Sequence, residues 1–310
     1  MSGSPLAAVF ADVHGNYLAL QACLELARAR GARQYLFLGD YITDHAYPQR
    51  VMELLYEARE RHSCIFIRGN REEYMTGYRR RGGCQPDGTP WRDSSAQGAL
   101  LSCYENLTAK DLDWFESLPI YSEWRPQGAP PVALCHGAPS HVRGVMRGDP
   151  DFYQELAGLG PDLLLKGHNH KWFSLTYKGK RVVCAGSVGN PITRRTRPGG
   201  QEVTELAKVA QMLFLRLEQG RWKPELVRVP YDWQGALNNL KTSGLWQRAA
   251  VWAALLRHNT LTGTDPCGAV PSRAAELYRQ ETGTEAPWPQ VPEEYWQRAA
   301  EEFGIDLAWS

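Results

Sequence analysis

Leu6-Ala7-Ala8-Val9-Phe10-Ala11 runs straight into Asp12-Val13-His14-Gly15-Asn16: six apolar residues, then a carboxylate, an imidazole and an amide within five positions. An apolar run that stops so abruptly on polar residues reads as a buried strand. It delivers those side chains to the C-terminal edge of a sheet, where α/β folds place their sites. The same punctuation recurs down the chain. Residues 35–38 lead into Gly39-Asp40, 64–67 into Gly69-Asn70, 132–135 into His136-Gly137, and 163–165 into Gly167-His168-Asn169-His170, while 182–185 form a sixth apolar run. Side chains two apart on a continuing strand share a face, so Asp12 with His14, and His168 with His170, can each converge on one spot.

Helices are predicted between these strands. Leu20, Cys23, Leu24 and Ala27 fall at i, i+3, i+4 and i+7, with a stop near Gly31. Residues 48–59 open on a proline suited to a first helical turn, and further helices are expected over 96–106 and 110–118. The second of these has Thr108 and Asp111 spaced as a capping box. Alternating strands and helices imply an α/β fold with layered helices. Residues 211–217 and 225–229, joined through Gln219-Gly220, read as a hairpin added to a sheet edge. Beyond Tyr231 the pattern is helical. Leu245, Ala249, Trp252 and Leu256 form one stripe, and Ser272 is placed to cap a helix ending at Gly283. A last helix opens at Pro292, with Tyr295, Trp296, Ala299 and Phe303 on one face. The chain is therefore divided into residues 1–230 and a helical extension, 231–310.

The 310 residues carry 35 Lys plus Arg against 34 Asp plus Glu, which argues against a protein that coats nucleic acid or anionic lipid. That balance conceals a split: 1–230 has a surplus of five basic residues and 231–310 a surplus of four acidic ones. Seven dispersed cysteines without a C-x-x-C pair suggest reduced thiols and a cytoplasmic setting. No apolar run approaches the ~18 residues of a membrane span, and no secretory leader is visible.

Carboxylate, imidazole and amide oxygen are ligand types for Mn, Fe or Zn, and the lack of a cysteine pair disfavours a thiolate zinc site. Asp12, His14, Asp40, Asn70, His136, His168 and His170 are too many for one ordinary ion. They suit two ions sharing a carboxylate, the arrangement that clamps both oxygens of a phosphoryl transfer.

Asp12-Val-His-Gly-Asn, Gly39-Asp40, Gly69-Asn-Arg-Glu, Cys135-His-Gly and Gly167-His-Asn-His, in that order, resemble the calcineurin-like metallophosphoesterase superfamily. Residues 185–191, Ala-Gly-Ser-Val-Gly-Asn-Pro, narrow the likeness to its compact bacterial and archaeal phosphodiesterase-like branch, which includes enzymes acting on dinucleoside polyphosphates. The resemblance covers roughly residues 5 to 230. It implies a two-sheet β-sandwich flanked by helices (αββα). It also implies one metal on Asp12, His14 and His170, a second on Asn70, His136 and His168, and Asp40 bridging them. A hydroxide held by the metals would attack phosphorus in line. Ser187 and Gly189 belong to the terminal motif and receive no catalytic role.

Where many members have His after the Gly-Asn pair, this chain has Arg71, whose guanidinium is a poor proton donor but a good anion clamp. The loop from Asp40 to Asp44 lacks the Asp-Arg-Gly continuation of the Ser/Thr protein phosphatases. His45, His141, Arg194 and Arg195 (with Arg197) are placed to approach substrate, each weighed against an ordinary surface or supporting role. His62 and His258 read as solvated, the run from Arg79 to Arg81 as a helix end, and Cys135 as packing. Seven of eleven tryptophans lie from 222 onward and read as helix packing. The expected activity is hydrolysis of a phosphodiester or phosphoanhydride, including nucleotides. The alternatives are a small phosphomonoester substrate or a scaffold of the same fold that has lost activity. A scaffold would be expected to have lost ligands, and all seven positions hold competent types.

Overall fold

Alternation along the first strand decides which residues meet which layer. Ala7, Val9 and Ala11 face one side with Leu36, Leu38, Leu213 and Leu215, whereas Ala8 and Phe10 face the other with Tyr35, Phe37 and Phe214. With both faces buried, the strand must lie inside a layered structure. The computed structural model describes residues 6–144, 150–193, 195–196, 202–203 and 207–308.

In chain order the elements are β1 (Leu6–Phe10), α1 (Tyr17–Ala29), β2 (Gln34–Phe37), α2 (Pro48–Arg61), β3 (Ser63–Phe66), α3 (Asn70–Arg80), α4 (Gly98–Glu105), α5 (Ala109–Ser117), β4 (Tyr121–Trp124) and β5 (Val132–Cys135). Then come α6 (Pro150–Gly158), β6 (Leu163–Lys166), β7 (Phe173–Tyr177), β8 (Lys180–Cys184), β9 (Arg195–Thr196), β10 (Glu202–Val203), β11 (Val209–Glu218) and β12 (Arg221–Pro230). Helices α7 (Trp233–Thr242), α8 (Leu245–Arg248), α9 (Ala250–Thr262), α10 (Ala269–Thr282) and α11 (Glu293–Glu302) follow.

Two mixed five-stranded sheets, ordered β12-β11-β1-β2-β3 and β4-β5-β6-β8-β7, pack face to face. Their shared core includes Val9, Leu36, Leu213, Leu134, Leu165 and Val183. Within each sheet three neighbouring strands are parallel, β1-β2-β3 in one and β5-β6-β8 in the other, so their C-terminal ends gather at common edges. Helices α1, α2 and α5 cover the outer face of the first sheet, and α6 covers the second through Phe152 and Leu156. The expected αββα sandwich is therefore observed. The hairpin β11–β12 pairs from Val209↔Pro230 to Glu218↔Arg221 and joins the first sheet beside β1. Gln219 and Gly220 both have positive φ, the geometry of a tight hairpin turn. Thr108 and Asp111 form the capping box reciprocally at α5.

Three expectations for the helical region are corrected. The stripe from Leu245 to Leu256 is not one helix, because Ala249 leaves helical geometry (φ −146) and separates α8 from α9. Ser272 does not cap α10: the helix has already begun at Ala269, and the Ser272 hydroxyl donates back to the Gly268 carbonyl at 2.8 Å. Phe303 is 46% exposed, since α11 ends at Glu302 and Gly304 turns the chain so that Ile305 is buried instead. The remaining helical residues build a core around Val251, Leu255, Ala274 and the fully buried Trp296. Trp222, by contrast, lies between the sheets against Trp124. All seven cysteines are free, and among the described residues no helix is long and apolar enough to cross a membrane.

Candidate metal centre

The polar residues that terminate the strands are held in unusual backbone geometry. Asp12 (φ 54), His14 (φ 50), Asp40 (φ 55), His168 (φ 71) and His170 (φ 53) all adopt the left-handed region that non-glycine residues avoid. Such conformations cost on the order of 1–3 kcal/mol each and persist where surrounding structure fixes them. Here the fixing contacts are visible. The Ser187 hydroxyl donates to the Asp12 carbonyl at 2.7 Å and the Gly189 amide donates to the same oxygen at 2.9 Å. The His168 amide donates to the Asp12 carboxylate at 3.0 Å, tying the end of β6 to the end of β1. Gly69 must be glycine, because a Cβ there would lie 2.3 Å from the Asp40 amide nitrogen.

The side chains converge. His14 Nε2 and His170 Nε2 are 2.9 Å apart, and Asp12 Oδ1 is 3.9 Å from the first and 3.6 Å from the second. His136 Nε2 lies 3.1 Å from Asn70 Oδ1, 3.4 Å from Asp40 Oδ2 and 4.0 Å from Asp12 Oδ1. Asp40 Oδ2 is also 3.7 Å from His14 Nε2, so both carboxylates stand between the two histidine groups. Asp12, His14 and His170 form one compact cluster of donor atoms, and Asp12, Asp40 and His136 form another. His168 adjoins the second, its ring 5.2 Å from that of His136.

This donor set suits metal ions, and the far side of each imidazole shows why. His136 Nδ1 donates to the Leu38 carbonyl at 2.7 Å, and His170 Nδ1 to the Asn190 carbonyl at 3.1 Å. His14 Nδ1 sits 2.8 Å from Asp44 Oδ2. Acceptors behind each ring place the proton on Nδ1 and aim the Nε2 lone pair at the centre, the tautomer a metal requires. Two such lone pairs 2.9 Å apart repel unless a cation lies between them.

Electrostatics agree with a cation-seeking site. Burial works against the Asp40 carboxyl, yet His136, His14 and Arg71 hold it well below the usual carboxylate range. Burial also disfavours a charged His136, but the Asp40 and Asp12 carboxylates raise it to about 9, so the position on Nε2 that a metal would take draws a proton when no metal competes for it. His168 goes the other way, to about 3, through burial and the neighbouring His136 charge. Behind the cluster, Glu72 accepts from the amides of Gly69 (2.8 Å), Asp40 (2.9 Å) and Tyr41 (2.8 Å). Burial and the Asp40 charge raise its carboxyl to about 7.

Asp44 is the joint of the site. Besides facing His14, it pairs with Arg71 Nη2 at 3.2 Å and accepts from Trp252 Nε1 at 3.3 Å. Arg71 thereby reaches the cleft beside the cluster, with its amide donating to Asp40 Oδ1 at 2.8 Å. The cleft measures about 250 Å³, and the wall facing the strand ends comes from α9 (Trp252, Leu256, Asn259) and from the connection to α10 (Asp265, Cys267, Gly268). Sequence alone gives no role to Asp44 and reads Trp252 and Leu256 only as helix packing, not as cleft wall. The capping-box spacing of Gly69 and Glu72 is the one signal that points to Glu72.

The other predicted residues fall elsewhere. His45 is buried, its Nε2 2.8 Å from Asn190 Oδ1, and does not line the cleft. His141 is exposed in the loop after β5 and does not line the cleft. Arg194 and Arg197 lie outside the described residues, and Arg195 is described only as backbone of β9. Cys135 is fully buried on β5, and burial pushes its thiol up to about 12, as suits a packing residue.

The sequence pattern of the calcineurin-like phosphoesterase family matches residues 6–172. An uncharacterized protein of Methanocaldococcus jannaschii is 25% identical over 229 residues, spanning 73% of this chain and 87% of that protein. A hypothetical protein from Pyrococcus horikoshii superposes with a TM-score of 0.64 at 20% identity, covering 84% of this chain and 99% of that one. A metallophosphoesterase from Sphaerobacter thermophilus gives 0.60 at 19% identity, covering 84% and 100%. At these identities the two solved structures speak to the fold.

Proposed function

The chain belongs to the calcineurin-like phosphoesterase family, and we propose accordingly that it hydrolyses a phosphate ester or anhydride using two divalent metal ions at the strand-end cluster. Asp12, His14 and His170 would hold one ion and Asn70, His136 and His168 the other, with Asp40 between them. Mn, Fe and Zn suit these donors. When bound, such ions offer positive charge to phosphoryl oxygens and lower the pKa of water.

The chain's own residues do the rest. Backbone carbonyls behind His136 and His170, and the Asp44 carboxylate behind His14, keep the rings oriented. Arg71, steered by Asp44, binds a non-bridging phosphate oxygen. A guanidinium stays protonated at neutral pH, so it stabilises charge without supplying a proton. Leaving groups that need little protonation, such as nucleoside phosphates and aryl alcohols, are therefore favoured.

The observation that carries this reading is the aim of three imidazole Nε2 atoms at two buried carboxylates, with an acceptor behind each ring. A phosphodiester or phosphoanhydride is the leading substrate class. The modest cleft volume favours a small phosphomonoester as the second reading. The catalytic unit in this reading is residues 1–230 with 231–310 as its extension, and the free thiols support a reducing, cytoplasmic setting. The balanced net charge does not point to nucleic acid as a partner, and among the described residues no helix is long and apolar enough to cross a membrane.

The test is metal analysis with a panel of aryl phosphate, bis-aryl phosphate and dinucleoside polyphosphate, run on wild type and Asp40→Asn. Turnover that depends on metal and is lost in the variant supports the proposal. Bound metal with no turnover of any substrate would favour a scaffold, and an equally active Asp40→Asn would remove the bridging role.

A further inference from the structure

A second cavity, about 420 Å³ and larger than the metal cleft, opens along the same helix that carries Arg71. Residues three and four apart share a helix face. On α3, Arg71 and Tyr74 lead to Gly77, and Arg81 caps the helix end. Tyr74 and Gly77 line this groove together with Trp91, Arg81 and Arg143. Tyr74 links the two cavities: the Arg71 guanidinium carbon lies 5.9 Å from its ring centroid and that of Arg143 lies 4.8 Å away. Arg71 is in turn 6.0 Å from the Trp252 ring of the cleft wall. Cations and aromatic rings therefore alternate from one cavity into the other.

The groove's chemistry is specific. Three arginines line it (Arg80, Arg81 and Arg143) against one carboxylate, Glu73, which lies 3.5 Å from Arg143. Arg80 is engaged from outside the groove by Glu116 at 3.2 Å, Arg143 shares the groove with its partner Glu73, and Arg81 is tied only to the Cys84 carbonyl at 3.0 Å, so Arg81 and Arg143 are the cations that face the groove. Trp91 stacks on Tyr78 at 3.8 Å and adds a rigid aromatic wall. Gly77 has no side chain to occupy the floor, and a Cβ there would first meet the mobile end of Arg81 at 3.2 Å. Ten residues of helix separate Arg71 from Arg81, a span of ~15 Å at ~1.5 Å per residue.

We propose that this groove is a second subsite of the same centre, holding the far end of an extended nucleotide whose reacting phosphoryl group lies against Arg71. Arg81 and Arg143 take a second anionic group, and the Tyr74 and Trp91 walls take a planar base. The inference rests on the phosphoesterase reading and selects, among its substrates, those with an anionic, aromatic arm. A small aryl phosphate ends at Arg71 and does not reach the groove.

The experiment compares steady-state kinetics of the full chain with a dinucleoside polyphosphate and with an aryl phosphate. Arg81→Ala/Arg143→Ala removes the charge, and Gly77→Leu fills the groove at a helical position. KM for the nucleotide should rise about tenfold or more in the double-arginine variant, which loses its charge-assisted hydrogen bonds, and by a similar factor in Gly77→Leu, whose side chain occupies the space of the ligand. The aryl phosphate constants should stay within about twofold. Equal losses on both substrates, or none on either, overturn the subsite. If no phosphate ester is turned over, calorimetric titration of wild type and variants with ADP still decides. Affinity weakened about tenfold in both variants supports the groove, and unchanged affinity overturns it, whatever the fate of the catalytic reading.

Discussion

The cleft has two walls of different construction. One is made of strand ends, where Asp12, His14, Asp40, His168 and His170 sit on strained left-handed backbone beside the buried Asn70 and His136, and the ends are cross-braced. The other belongs to the helical region, where Trp252 and Leu256 on α9 and the connecting segment from Asp265 to Gly268 close the opposite side. The first wall needs particular atoms at particular places, since metal-binding chemistry tolerates few donor types. The second needs shape, which many packing residues can supply. The strand-end wall should therefore govern whether the reaction occurs, and the helical wall which molecule undergoes it.

The largest predicted effect falls on the strand-end wall. Asp40→Asn keeps the shape and removes the charge that faces both His14 and His136. We expect kcat to fall about 1000-fold or more, about 4 kcal/mol at ~1.36 kcal/mol per decade. Metal content should drop with it, while circular dichroism stays native. A variant that keeps metal and activity would erase the distinction between the walls.

Removing metal from the wild type comes next. Ions that bind only the folded chain stabilise it by about 2.7 kcal/mol when free metal is ~100 times Kd. Chelation should accordingly lower the thermal midpoint by several degrees, and Asp40→Asn should show a smaller shift. An identical midpoint with and without chelator would leave the buried carboxylates without the cation this site calls for.

The two walls also differ in how readily they could be read. Strand ends were legible because each combines a short β-rich apolar run with a glycine and a chemically distinctive residue, a pattern that recurs five times. The sandwich followed from the same runs. Trp252 and Leu256 were legible only as a hydrophobic stripe, because a residue that packs a helix core and a residue that lines a cleft obey the same periodicity. Trp252 does both. That stripe also hid the break at Ala249, where tertiary packing overrides a good helix former. Asp44 was invisible for another reason. Its three partners, His14, Arg71 and Trp252, come from three separate segments, and their meeting is a property of the fold.

Asp44 is where the walls touch, so its substitution should produce an intermediate effect. Asn tolerates the left-handed backbone of position 44 (φ 65) and can still accept from Trp252. It loses the charge that orients Arg71 and supports His14. Groups that hold a metal ligand from behind typically matter by about 10–100-fold in affinity or activity. We expect Asp44→Asn to lose that much kcat/KM, with metal affinity falling too. An effect as large as that of Asp40→Asn would make Asp44 part of the reacting centre rather than its support.

The smallest effect, and the sharpest separation of the walls, should come from Trp252→Phe. This change retains an aromatic ring in the cleft and removes the Nε1 donor to Asp44. A neutral donor to a carboxylate is worth about 1.5–3 kcal/mol when well formed. At 3.3 Å this one is long, so a loss nearer tenfold or less is expected. Its signature should differ from that of Asp44→Asn. Metal content should be unchanged, because His14 keeps its carboxylate neighbour at 2.8 Å. The ratio of kcat/KM between bulky and small phosphate esters should shift, because Trp252 borders the cleft and lies 6.0 Å from the guanidinium of Arg71, the residue proposed to receive the phosphate. If both substrates slowed equally and metal were lost, the helical wall would be acting through the metal ligands, and the division between chemistry and shape would fail at the one place where the walls are joined.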